Sequence, residues 1–118
     1  MKPGDAVEVS RRYGAEDLQR FAVLAGAVEG AETVPEPLIG ALFSYLLGVR
    51  LPGPGTNYLK QELRFLASAP LDTELTARVE ITRLRPEKHL VDLRTTCRLP
   101  DGTLICDGRA LVLARDVG

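Results

Sequence analysis

Residues 38–48, Leu-Ile-Gly-Ala-Leu-Phe-Ser-Tyr-Leu-Leu-Gly, are apolar almost all the way round a helical wheel, and Leu51-Pro52-Gly53-Pro54-Gly55-Thr56 follows at once. A helix with so little polar face must be enclosed by other elements. It is far shorter than the ~20 residues needed to span a bilayer, so it predicts a buried core helix. Pro37 suits its first turn, where a missing N–H costs nothing, and Gly48 is placed to end it. The Pro-Gly-Pro-Gly run then forbids both helix and strand, so the chain must leave the helix and start again.

What starts again is strand. Leu59, Gln61, Leu63 and Phe65 alternate with Lys60, Glu62 and Arg64. Leu75, Ala77, Val79 and Ile81 alternate with Thr76, Arg78, Glu80 and Thr82, and Val91 to Leu99 repeats the pattern. A last strand runs from Thr103 to about Ala114. Arg85-Pro86-Glu87-Lys88 and Pro100-Asp101-Gly102 are turns, which makes the last three strands a meander. The final hairpin has two candidate registers. A three-residue turn with Leu99 opposite Thr103 sets Cys97 against Ile105 and turns Asp107 and Arg109 inward. An Asp101-Gly102 turn sets Cys97 against Cys106 and keeps both charges outward. Burying two charges costs several kcal/mol, roughly, so the second register is expected.

Ahead of the apolar helix, Ala6–Ser10 alternates as a short strand. Ala15-Glu16-Asp17 opens a first helix with Leu18, Phe21, Ala22 and Ala25 on one face and Gly26 as its stop. Residues 27–36 have no apolar period and read as loop. One α+β domain over 1–118 is expected, an antiparallel sheet wrapped around a central buried helix.

The composition narrows the function classes. With 15 basic and 16 acidic residues, no Trp and 5% aromatics, nothing marks a nucleic-acid surface. Two cysteines without a Cys-x-x-Cys pair, and one histidine, argue against a metal site and a disulfide framework. No membrane segment or signal peptide is apparent, which makes a cytoplasmic protein with reduced thiols the expectation.

Several of these segments carry a resemblance. Phe21-Ala22-Val23-Leu24-Ala25-Gly26, Leu38 to Gly48, Leu51 to Phe65, and Gly108-Arg109-Ala110 together resemble the MaoC-like (R)-specific enoyl-CoA hydratases, a hot-dog-fold family, over residues 15–114. The resemblance implies dehydratase-like fatty acid metabolism. It implies an acyl-CoA or acyl-carrier-protein thioester as partner, no cofactor, and a homodimer or a heterodimer with a competent hydratase. In the family an Asp and a His hold the water that adds across the enoyl double bond. Here Ala27 stands where the Asp belongs, no His follows, and the connecting stretch is short. Pro35-Glu36-Pro37-Leu38 replaces the family's His-Gly-Met-Leu, whose backbone N–H polarises the thioester carbonyl. The expectation is a degenerate homologue or non-catalytic subunit. The alternative is a thioesterase or relict hydratase using a displaced carboxylate, with Glu36, Glu32 and Glu29 as candidates. Asn57 and Tyr58 are the candidates for an acyl or pantetheine groove. Gln61 is expected buried and tied to the short loop, Ser44 and Tyr45 in the core or at a dimer contact. His89 is expected as a solvated turn residue.

Overall fold

The computed structural model describes residues 1–25 and 33–114, the side chains of 21–25 excepted. In chain order the elements are β1 (Ala6–Arg12), α1 (Ala15–Ala25), α2 (Glu36–Tyr45), β2 (Asn57–Phe65), β3 (Glu74–Arg85), β4 (Leu90–Arg98) and β5 (Leu104–Leu113). All strand pairs are antiparallel in a single sheet ordered β1-β3-β4-β5-β2. The meander of β3, β4 and β5 forms the middle, and β2 returns to close against β5 as an edge.

α1 begins where Asp17 Oδ2 accepts from the Gly14 N–H at 2.8 Å, half of a capping box. Glu16 and Asp17 lie in the first turn, favourable to the dipole, and Leu18 is buried. Gly26 and most of the 27–36 loop lie outside the described residues.

α2 starts from Pro35 with Pro37 in its first turn. Gly48 does not end it. The helix continues through Leu46–Arg50 in π geometry, with the Leu51 N–H donating to Leu46 O at 2.8 Å. Gly53 then donates to Leu47 O at 3.0 Å, from a backbone at φ +98° that favours glycine. The helix stops only where the Pro-Gly loop supplies donors for its last carbonyls.

Ile39, Leu42, Phe43, Leu46 and Leu47 fill the concave side of the sheet, against Leu75, Ala77, Val79, Ile81, Val91, Leu93, Cys97, Cys106, Ala110 and Val112. The helix is buried on that side alone. Ala41, Ser44, Tyr45 and Val49 are exposed, because one layer of five strands covers only part of a cylinder. Ser44 and Tyr45 therefore lie outside the core.

The last hairpin resolves the two registers by using both. Gly102 sits at φ +90°, and Leu99 donates to Thr103 O at 2.9 Å, so the turn has three residues. The register then slips between Cys97 and Arg98, with Ile105 as the extra residue. Beyond that bulge Cys97 faces Cys106, Leu93 faces Ala110, Val91 faces Val112, and Arg109 is exposed. A bulge satisfies the turn chemistry and the burial rule together.

Further along β5, Gly108 lies opposite Thr95 on β4 and Leu63 on β2. A Cβ there would strike Glu62 O and sit 2.9 Å from both Leu63 Cδ2 and Thr95 Oγ1. Only glycine lets β2 approach this closely.

Candidate functional site

A bulge decides what faces inward at the edge. On β2 the register slips between Tyr58 and Lys60, leaving Leu59 as the extra residue, 52% exposed. Tyr58 and Gln61, an odd number of residues apart, belong to opposite faces of a regular strand. With Leu59 bulged out, Tyr58 pairs with Val112 and Gln61 with Ala110, both inward positions. Gln61 is not buried as expected. It is exposed, and its Nε2 donates to the Tyr58 hydroxyl at 3.4 Å.

Between this inner side of β2 and the open side of α2 runs a groove of about 490 Å³, lined by Glu36, Pro37, Gly40, Ala41, Ser44, Gln61, Leu63 and Phe65. The helix lies against the floor at Gly40, where even a Cβ would meet Leu63 Cδ1 at 3.7 Å, an ordinary van der Waals contact. The floor is apolar and the two ends are polar. Glu36 is exposed at one end, in the first turn of α2. Ser44 stands at the other end and donates to the Tyr58 hydroxyl at 3.5 Å. Burial raises the Tyr58 phenol above its ordinary value, an effect the Ser44 hydrogen bond opposes, so the phenol stays neutral at physiological pH.

At the start of α2, Pro35 and Pro37 carry no N–H, and Leu38 donates to Pro35 O at 3.0 Å. Burial pushes the Cys106 thiol up to about 11, with the charges of Asp107 and, least, Glu36 adding to it. Cys106 pairs with Phe65, which lines the groove with Glu36. His89 is at the other end of the sheet. It is exposed, takes a left-handed backbone at φ 56°, and accepts a hydrogen bond from the Ala114 N–H at 2.9 Å. Eight residues of extended chain from Cys106 to Ala114 separate the two ends by on the order of 25 Å.

Of the remaining candidates, Asn57 is exposed at the first position of β2, opposite Leu113. Neither it nor the exposed Tyr58 is itself among the groove-lining residues, Tyr58 reaching the groove only through Ser44 and Gln61. Glu29 and Glu32 lie outside the described residues. A second concavity of about 520 Å³ is lined by Glu62, Arg64, Arg94, Asp107 and Arg109 among others. Its charges are largely spent on each other, Arg94 with Asp107 at 3.1 Å and Arg109 with Glu62 at 3.1 Å. Among the described residues no group of three or more His, Cys, Asp or Glu could hold a metal ion. None of the described helices is long and apolar enough to cross a membrane.

The chain is 42% identical to the (R)-specific enoyl-CoA hydratase of Rhodospirillum rubrum, over 96% of this chain and 88% of that protein. It is 33% identical to the (R)-specific enoyl-CoA hydratase of Aeromonas caviae, over 95% and 94%. The solved structure of the A. caviae (R)-hydratase superposes with a TM-score of 0.91, covering 98% of both chains at 32% identity. The chain belongs to the (R)-specific enoyl-CoA hydratase family. Its α+β architecture is the family's hot-dog fold. No family model matches it. The alignments run over 126 and 127 residues against a chain of 118, so each relative carries a stretch with no counterpart here.

Proposed function

We propose that this chain binds an acyl thioester of CoA or of acyl carrier protein in the groove between α2 and β2, without the family's hydration chemistry. It is a degenerate hydratase homologue, or the non-catalytic member of a pair with a competent hydratase. The observation that carries this reading is the position of His89. A general base must come within about 3 Å of the proton it removes, directly or through one water. The chain's single histidine lies at the opposite end of the sheet from the start of α2. In the family pattern Ala27 occupies the Asp position, and the missing stretch fits between Gly26 and Pro35. The exposed side of α2 and the edge strand β2 further support a dimer, in which a second chain covers both.

The decisive experiment incubates the purified chain with crotonyl-CoA and follows loss of the enoyl absorbance. The expected rate is at background, and turnover near the ~10 s⁻¹ of a typical enzyme overturns the reading.

Glu36 favours a second reading, thioester hydrolysis by a carboxylate that activates water at one end of the groove. In that case the chain releases CoA from acyl-CoA, and Glu36→Gln lowers the rate roughly 10²- to 10⁴-fold. Hydrolysis that survives Glu36→Gln excludes Glu36 as the base.

A further inference from the structure

Three residues that only folding brings together meet at the polar end of the groove. Ser44 from α2 and Gln61 from β2 line it, and Tyr58, 39% exposed, stands beside that lining on the other side of the Leu59 bulge. The Tyr58 oxygen accepts twice, from Ser44 Oγ at 3.5 Å and from Gln61 Nε2 at 3.4 Å. A phenol has one proton and two acceptor lone pairs. With its oxygen engaged by two donors, the proton of Tyr58 is left to donate, and among the described residues it has no acceptor. Burial keeps that proton on the oxygen. Donation into a phenol oxygen also polarises its O–H, which strengthens the next bond in the chain.

We infer that Tyr58 is a ligand-recognising donor, aimed at an oxygen acceptor on the molecule occupying the groove. Eight helical residues separate Ser44 from Glu36, so the acceptor lies about 12 Å from the start of α2. The inference rests on the acyl-thioester reading above and adds a requirement to it. An unsubstituted alkyl chain lies along Gly40, Ala41, Leu63 and Phe65 but leaves the Tyr58 donor unanswered. Two parts of an acyl thioester carry such an oxygen at that reach: a hydroxyl or carbonyl far along the acyl chain, and an amide carbonyl of the pantetheine arm.

Three probes inert to hydration and hydrolysis, coenzyme A itself and the thioethers S-octyl-CoA and S-(8-hydroxyoctyl)-CoA, separate these sources by calorimetric titration. If the oxygen is on the acyl chain, Tyr58→Phe weakens only the hydroxyoctyl probe, by roughly tenfold, the usual worth of one hydrogen bond to a partly buried donor. If it is the pantetheine amide, all three weaken by a similar factor. Ser44→Ala removes one donor to Tyr58 and shifts the same probes by a smaller factor, which keeps the test alive should Tyr58→Phe fold poorly. Affinities unchanged by both variants overturn the inference and leave the acyl-thioester reading intact. A wild-type chain that binds none of the probes overturns that reading itself.

Discussion

β3 and β2 have nearly the same sequence pattern and opposite fates. Leu75, Ala77, Val79 and Ile81 are each fully buried, whereas on β2 only Leu63 and Phe65 reach even intermediate burial. Both segments alternate apolar and polar residues. The difference is their place in the sheet: β3 has a neighbour on each side and the helix above it, while β2 has β5 on one side only. Period-two alternation identifies a strand with an inner face but does not say how much lies over that face. The middle of the sheet carries stability, and the exposed β2 edge is where the proposed ligand and partner would sit.

The sharpest test of this contrast is Phe43→Ala. Phe43 has no exposed surface and packs where α2 meets the middle strands. Its truncation is expected to cost about 3–5 kcal/mol in urea unfolding. A loss below ~1 kcal/mol would mean the central core is no better packed than the edge.

A second test uses the facing thiols of Cys97 and Cys106. Burial pushes both up to about 11, against about 8.5 in an unfolded chain. Below about pH 8.5 both states hold the protons and the contribution to stability is whole. As pH rises toward 11 only the unfolded chain ionises, so stability falls, by on the order of a few kcal/mol for the pair. Unfolding midpoints between pH 8 and 11 should decline more steeply in the wild type than in Cys97→Ala. Parallel slopes would show the thiols titrating as if exposed.

The smallest effect belongs to the edge. Leu59→Arg on the exposed bulge is expected to change the stability of the fold by no more than ~0.5 kcal/mol. If a second chain covers β2, the same change shifts sedimentation from dimer toward monomer. A wild-type chain already monomeric at micromolar concentration would remove the dimer from the proposal.

Much of this architecture was legible in the residues. The apolar wheel of 38–48 pointed to a core helix, which is buried on its sheet side, and apart from Leu59 the strands after the Pro-Gly loop stand where their alternation placed them. The outward charges of Asp107 and Arg109 fixed Cys97 opposite Cys106. Three things were not legible. Gly48 looked like a stop, because a sequence does not show that Leu51 and Gly53 will supply donors for the carbonyls of Leu46 and Leu47. The bulges at Leu59, Thr82 and Ile105 leave no local signature, since each is set by what the neighbouring strand requires. The Ser44–Tyr58–Gln61 cluster was missed because Tyr58 and Gln61 belong to opposite faces until Leu59 is extruded.

The sequence alone determined the element types, the meander, the family resemblance of residues 15–114, and the absence of any histidine besides His89. These depend on periodicity and on residue identity, which are local. The tertiary structure decided which strand became the edge, which side of α2 stayed open, and which side chains met across the groove. Those are properties of contacts between segments far apart in the chain. They are fixed only when the sheet closes on its helix and leaves β2 with a single neighbour.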